Sequence, residues 1–201
     1  MTVDIERVAA LTRELLEAIG EDPERPGLKQ TPQRVAELYA EFFAGVGQDA
    51  AEPLARTISV SRGPAPETLA SGAVILRDIR FRSVCEHHLL PFAGRAHLAY
   101  LPGEQVVGLG ALVKVVETLA ARPQVQERLG EQIADTIDAR LDTRGVLVVL
   151  DAVHGCVTMR GGRQPEASTL TVAARGAYVE PIARAEIIAL IGSATTGDDL
   201  S

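Results

Sequence analysis

The chain has 201 residues, of which 46% are hydrophobic, 23% charged and 3% aromatic, and its formal net charge is −7. This composition is typical of a globular protein of one domain plus an extension, and the acidic balance argues against a nucleic-acid partner. No segment reaches the ~18 apolar residues that would span a bilayer, and acidic residues run through positions 1–20, unlike a secretory signal. We therefore expect a cytoplasmic protein with no membrane partner.

The N-terminal part is predicted to be helical. Apolar residues at helical spacing predict one helix over residues 4–19 and a second from Thr31, where a Thr-Pro pair caps the first turn, to Gly45. Residues 46–71 are rich in Pro, Gly, Ala and Ser, which indicates a long connection. Residues 1–71 are thus predicted to form a helical extension with its linker.

The pattern changes at residue 72, and the rest is predicted to be an α+β domain. Four segments are strand-like: residues 73–85, 94–102, 146–159 and 168–179. Helical patterns run from about Leu109 to Val116 and from Gln124 to Leu141, with Pro123 in the first turn of the second helix. We predict a catalytic domain over 72–192, in which two strand pairs flank two helices, and a flexible tail over 193–201.

Chemically active residues are concentrated in the stretch SVCEHHLLPF, residues 83–92. Cys85 and His88 form a C-x-x-H pair, a spacing that lets a thiolate and an imidazole converge on one metal ion where a strand ends in a turn. The alternatives are a buried cysteine beside two surface histidines, or a disulfide with Cys156, the other cysteine. Because a reducing cytoplasm disfavours disulfides, we favour a metal ligand or a catalytic thiol.

His154 and Cys156 lie at i, i+2 in a strand-like segment. Alternate side chains of a strand point to the same face, so we expect His154, Cys156, Thr158 and Arg160 to share one. A stray core histidine and cysteine is the simpler alternative. The pattern places an imidazole, a thiolate and a guanidinium together.

The set Cys85, His88 and Cys156 suits Zn²⁺ and leaves one tetrahedral position open, as in catalytic zinc sites. His87 or His154 could supply a fourth ligand, which would make the site structural. If they do not bind the metal, both are natural proton-transfer groups, because imidazole titrates near neutral pH.

Gln126 and Glu127 lie in the first turn or so of the second predicted helix. Glutamate there complements the helix dipole and glutamine is a good helix former, so a purely structural role is open. An amide beside a carboxylate can also recognise a purine edge. His97 has no chemically active neighbour, and we interpret it as an ordinary strand residue.

Taken together, these motifs resemble type I GTP cyclohydrolase, a T-fold family, over nearly the whole chain. The resemblance is carried by IGEDPERPGLKQTPQRVAELYAEFFAG near the N-terminus, CEHHLLPF, RPQVQERL and DAVHGCVTMRG, in that order. It implies a T-fold that assembles as a toroidal homodecamer with active sites between subunits. It also implies zinc as cofactor and GTP as substrate, with hydrolysis at C8 of the guanine ring, release of formate and closure to 7,8-dihydroneopterin triphosphate.

The resemblance also implies a role for each matching residue. Zinc would be bound by Cys85, His88 and Cys156. Proton transfer would be carried out by His87 and His154, with His154 protonating N7. The guanine would be held by Gln126 and Glu127, with Glu127 at its N–H edge, and the triphosphate would be contacted by Arg160.

One stretch departs from the family pattern. In family members a Gly-Leu pair is usually followed by Ser-Lys and, three residues on, by Arg, and these residues hold ribose and phosphates. In this chain the corresponding residues are Gly110, Ala111 and Lys114. Lys114 keeps a positive charge at a substrate-binding position. The departure leaves open a paralogue with an altered nucleotide preference, or a catalytically silent zinc-binding relative. A T-fold nitrile reductase would not need the three ligands, and a zinc deaminase would carry H-x-E and P-C-x-x-C.

Overall fold

The computed structural model describes residues 3–60, 72–159 and 164–192. The N-terminal part forms two helices that pack against each other, α1 (Ile5–Ala18) and α2 (Thr31–Phe42). The carboxylate of Asp4 caps α1 by accepting a hydrogen bond from the backbone N–H of Arg7 at 3.0 Å, and a proline opens α2. Both predicted helices are confirmed, but the predicted cap of the second is not: Thr31 is the first residue of α2, and the N-cap position is Gln30, which makes no side-chain capping bond.

The remaining elements follow in chain order: β1 (Thr57–Ser59), β2 (Val74–Cys85), β3 (Pro91–Leu101), β4 (Gln105–Val107), α3 (Leu109–Ala120), β5 (Pro123–Gln124), α4 (Gln126–Leu141), β6 (Gly145–His154), α5 (Gly155–Thr158), β7 (Thr169–Gly176) and α6 (Pro181–Gly192). Five strands form one sheet in the order β5-β2-β3-β6-β7, in which β5 runs parallel to β2 and the other neighbours are antiparallel. This arrangement confirms the predicted α+β T-fold unit, with two strand pairs flanking two helices.

The core lies mainly between the sheet and the pair α3 and α4. Leu112 of α3, Ile133 of α4 and Leu150 of β6 are fully buried there. A second, smaller cluster lies where Ile187 of α6 packs with Tyr178 and Leu147. As the composition predicts, both clusters are dominated by aliphatic side chains.

Several short or late elements were not predicted. Residues 46–60 are not a simple connection, because they hold a 3₁₀ turn (Glu52–Ala55) and β1, which pairs with the equally unpredicted β4. Three-residue strands are too short to show an alternating pattern. Helix α6 was missed because its sequence, PIARAEIIALIG, is apolar on nearly all sides. The tail predicted over 193–201 lies outside the described residues.

Pro123 does not lie in the first turn of the second helix, so that prediction is wrong. It belongs to β5, whose two residues pair in parallel with the end of β2: Val84 with Pro123 and Cys85 with Gln124. A proline tolerates this position because β5 is an edge strand. Helix α4 begins afterwards, at Gln126.

Across the described ranges, none of the helices combines the length and the apolar character needed to cross a bilayer.

Candidate active site

Cys85 and His88 are brought together by a tight turn between β2 and β3. The backbone carbonyl of Cys85 accepts hydrogen bonds from Leu89 N–H at 2.8 Å and His88 N–H at 3.4 Å, and Cys85 N–H donates to Leu90 O at 2.8 Å. Leu89 closes the turn with a φ of 52°, a left-handed value that non-glycine residues adopt rarely and that is concentrated at functional sites. The turn leaves Cys85 Sγ 3.9 Å from His88 Nδ1.

The strand that carries His154 ends at that residue. His154 is the last residue of β6 and pairs with Phe92, one residue from the start of β3, so the strand has almost no partner left to follow. The chain also passes close to β3 here, because a Cβ on Gly155 would lie 2.8 Å from the carbonyl oxygen of Pro91. Extended pairing therefore stops, and the backbone coils into the single turn α5.

This turn overturns the predicted strand face. Cys156 and Thr158 lie in α5, where the Thr158 hydroxyl donates to the backbone carbonyl of His154 at 3.2 Å, so they do not alternate with His154 along a strand. Arg160, the fourth member of that predicted face, lies outside the described residues. Cys156 nevertheless comes close to Cys85: its Sγ lies within 4.8 Å of the ligand atoms of Cys85 and His88.

The structure brings Cys85, His88 and Cys156 together: their ligand atoms all lie within 4.8 Å of one another. Ligand atoms around a tetrahedral zinc ion stand roughly 3.5 to 3.8 Å apart, given Zn–S and Zn–N bonds of about 2.3 and 2.0 Å. Neither sulfur is in a disulfide. The donor set of two sulfurs and one imidazole nitrogen therefore fits zinc, and His88 is the exposed member of the group.

His154 stands beside this group in a fixed orientation. Its ring stacks on Phe92 with a centroid distance of 4.6 Å and an interplanar angle of 5°, and its Nε2 lies 2.7 Å from Gln126 Oε1. Burial lowers the pKa of His154, while the negative charge of Glu127 acts in the opposite direction. An imidazole held this way is suited to exchanging protons near neutral pH.

Gln126 is buried, with only 1% of its surface exposed. Its Nε2 donates to the backbone carbonyls of Leu150 at 3.0 Å and Thr169 at 2.8 Å, and also lies 3.2 Å from the Thr171 hydroxyl. With Oε1 directed at His154, the whole amide is bonded within the chain. Neighbouring Glu127 is exposed instead, and it lines an open groove between α4 and β7.

A second network ties the turn after β2 to the start of α4. Glu86 N–H donates to Gln124 O at 3.0 Å, and the Glu86 carboxylate accepts hydrogen bonds from both terminal nitrogens of the Arg128 guanidinium. Arg128 Nε in turn donates to Gln124 Oε1 at 3.1 Å, and the hydrogen bond from the Arg128 guanidinium, together with its charge, lowers the pKa of Glu86. We did not predict this pair, because nothing in the local pattern shows that residues 42 positions apart are in contact.

The other predicted residues are not members of the ligand group, although the rings of His87 and His88 are 6.2 Å apart, centroid to centroid. His87 is 65% exposed, with its Nε2 3.9 Å from Glu86 Oε1. His97 is a strand residue of β3, as predicted, and accepts a hydrogen bond from the Asp78 N–H at 3.3 Å. On α3, the Lys114 ammonium is paired with Glu117 at 2.6 Å.

Gly110 and Ala111, where the sequence departs from the family pattern, lie in the first turn of α3. Gly110 is exposed and a Cβ there would meet nothing within 4 Å, so no steric constraint requires glycine. Ala111 is half-buried against the core. A larger side chain therefore fits at position 110 more easily than at position 111.

Comparison with known proteins gives one family. The family described as GTP cyclohydrolase I matches residues 8–192 of the chain. A protein named GTP cyclohydrolase 1 from Leifsonia xyli subsp. xyli (strain CTCB07) is 63% identical over 189 residues, which cover 94% of this chain and 96% of that one. The protein of the same name from Rhodopirellula baltica (strain DSM 10527 / NCIMB 13988 / SH1) is 50% identical, over 96% of this chain and 82% of that one. The one from Bacillus subtilis (strain 168) is 48% identical, over 92% of this chain and 95% of that one. With the sequence motifs and the Cys/His/Cys group in agreement, the chain belongs to the GTP cyclohydrolase I family.

Proposed function

We propose that the chain is a zinc-dependent GTP cyclohydrolase I, which opens the imidazole ring of GTP at C8, releases formate and forms 7,8-dihydroneopterin triphosphate. The observation that carries the proposal is the convergence of Cys85, His88 and Cys156 beside His154, in a chain 63% identical to a protein named for this activity. A structural zinc site would use a fourth protein ligand, and in the described part of the chain the group of converging ligand atoms consists of Cys85, His88 and Cys156 without His154.

Each residue of the site has a distinct task in this proposal. Cys85, His88 and Cys156 would hold the zinc ion, which when bound supplies Lewis acidity and lowers the pKa of a water molecule. His154 donates a proton to the purine ring, and the exposed His87 exchanges protons with solvent. Glu127, on the groove wall, accepts hydrogen bonds from the N–H edge of the guanine.

The phosphates require positive charge, which an acidic chain must supply locally. We assign this role to Arg160 and Lys114, as the resemblance implies. Lys114 is 66% exposed and its pairing with Glu117 is an i, i+3 surface contact, which is weak enough for a phosphate to replace.

Assembly as a cytoplasmic homodecamer is part of the same proposal. Several large apolar side chains are exposed on β6, β7 and α6 of the isolated chain: Val153, Leu170, Val172 and Ile182. Large apolar side chains left exposed in this way are typical of surfaces that associate with other subunits.

The test is to incubate the zinc-loaded protein with GTP and to assay formate and pterin fluorescence. Formate together with pterin supports the proposal. Formate without pterin would mean that the reaction stops at an opened purine. The absence of both would favour a catalytically silent relative that keeps zinc for structure.

Glu127→Gln is expected to raise KM for GTP while changing stability little. The substitution removes the acceptor for the guanine N–H edge, whereas the loss of a first-turn charge costs only ~0.3 to 1 kcal/mol of helix stability. Steady-state kinetics and thermal melting measure the two effects separately. Glu6→Gln is the matched control, since Glu6 is the acidic residue in the first turn of α1. A lowered melting temperature with an unchanged KM would show that Glu127 serves only the helix.

We expect this chain to discriminate GTP from GDP and GMP less strongly than relatives that carry the Ser-Lys-Arg set. Gly110 has no hydroxyl and Ala111 no ammonium with which to contact phosphate. A hydrogen bond to a charged group contributes ~1.5 to 3 kcal/mol, or roughly one to two decades in affinity. Gly110→Ser should therefore increase the ratio of kcat/KM for GTP to that for GMP by about that factor.

The measurement compares the three nucleotides at fixed ionic strength, because salt screens exposed phosphate contacts. Gly110→Ala is the control, since it adds the Cβ without the hydroxyl and should leave the ratio unchanged. Ala111→Lys is a less clean probe because Ala111 packs against the core. A native protein that already prefers GTP by several decades, with no gain in Gly110→Ser, would contradict the prediction.

A further inference from the structure

The hydrogen bonds of Gln126 are compatible with only one orientation of its side-chain amide. Backbone carbonyls only accept hydrogen bonds, so the atom between Leu150 O and Thr169 O, at 3.0 and 2.8 Å, must be the amide nitrogen. The amide oxygen is therefore the atom that lies 2.7 Å from His154 Nε2. The opposite orientation would place three acceptor oxygens together in a buried space, which is costly.

This orientation determines where neutral His154 carries its proton. An amide oxygen is an acceptor, so the ring nitrogen that faces it must be the donor, and Nε2 must be protonated. The ring cannot turn over without loss: a half-turn about its bond to Cβ would direct a carbon at Gln126 Oε1 and break the hydrogen bond. The parallel stack on Phe92, with 5° between the planes, holds the ring in the plane that the bond requires.

We propose that Gln126 is a positioning residue that holds His154 in the Nε2–H form and so leaves Nδ1 as the ring atom that takes up and releases the catalytic proton. This inference deepens the proposed function and rests on it for the catalytic part, while the hydrogen bond itself does not depend on activity. It differs from the role that sequence resemblance implies for Gln126, which is to hold the guanine. Of the pair Gln126 and Glu127, it is then Glu127 that offers its side chain to the base.

The two roles predict different kinetics. A residue that holds guanine affects mainly KM, whereas one that orients a proton-transfer group affects mainly kcat. Gln126→Met keeps the length of the side chain but cannot accept the bond from Nε2. We expect it to lower kcat by about 10 to 100-fold, as is typical when a partner that orients a functional histidine is removed, with KM for GTP changed little.

The hydrogen bond is tested directly by nitrogen magnetic resonance on the zinc-loaded protein labelled with ¹⁵N-histidine. The chain has four histidines, and His154→Ala identifies the signals of His154 by their disappearance. We expect a protonated Nε2 with a slowly exchanging, downfield N–H proton and an unprotonated Nδ1. The slowly exchanging proton should be lost in Gln126→Met. Thr171→Val is the control, because the two backbone carbonyls still orient the amide.

A native His154 with its proton on Nδ1 would overturn the proposal, as would an unchanged kcat with a raised KM in Gln126→Met. The spectroscopic result on the native protein stands even if Gln126→Met does not fold. It also separates this inference from the proposed function: a protein that converts no GTP but shows the Nε2–H signal retains the positioning bond and fails only as a cyclohydrolase.

Discussion

Replacing His154 by alanine is expected to lower kcat for GTP by about 10² to 10⁴-fold while the protein keeps its zinc. The magnitude is that of a general acid or base removed from a positioned site. The zinc is expected to be retained because the ligand group consists of Cys85, His88 and Cys156, and His154 is not part of it. Turnover is measured by pterin fluorescence and metal content by elemental analysis of the same preparation.

The matched control is His97→Ala, which also removes a half-buried histidine, but from a part of β3 away from the ligand group. Burial lowers the pKa of His97 as it does that of His154, so the two residues differ mainly in position. We expect its kcat to stay close to that of the native protein. If His154→Ala instead loses the metal, His154 is a fourth ligand and the site is structural.

The ligand group could be predicted from the sequence because its information is local. Cys85 and His88 are three residues apart at the end of a strand, and a turn at that point is enough to bring their side chains together. Cys156 is the other cysteine of the chain, and it lies within another strand-like run. Such a prediction needs the right residue types near strand ends, and it does not need the exact backbone path.

That backbone path is what the pattern could not show. Residues 146–159 have the alternation of one long strand, and the chain nevertheless leaves the sheet at His154. The cause lies elsewhere: β3 begins at Pro91, so β6 has no partner beyond Phe92, and Gly155 permits a close approach to Pro91 O. The length of a strand depends on the strand with which it pairs, and the sequence of a single segment does not show where that partner begins or ends.

The side-chain hydrogen bonds around Gln126 could not be predicted from the sequence either. Gln126 was interpreted as a helix former or a purine contact, because its sequence neighbours suggest both. Its bonds go instead to Leu150, Thr169 and His154, which lie 24 to 43 positions away. Burial of an amide requires such partners, but which residues supply them depends on the register of β6 and β7.

Replacing Cys156 by serine is expected to remove most of the zinc, and with it the activity, while leaving the fold intact. Serine differs by one atom, but its hydroxyl is a poor replacement for a thiolate as a zinc ligand. Because Cys156 is half-buried at the edge of the core, the change in packing should be small. The native protein should hold about one zinc ion per chain, and the variant a small fraction of that after dialysis.

Thr158→Ser is the control within the same turn of α5, since serine keeps the hydroxyl that bonds to His154 O, and it should retain both metal and turnover. Elemental analysis, GTP turnover and thermal melting are measured on all three proteins. Metal and activity should fall together in Cys156→Ser, because without the third ligand the two remaining donors, Cys85 and His88, lie in one turn and approach the ion from one side only. A zinc site with two protein ligands is far weaker than one with three. Full metal content and turnover in Cys156→Ser would therefore mean that the ion is held by other residues, and that the closeness of the three ligand atoms has no part in the chemistry.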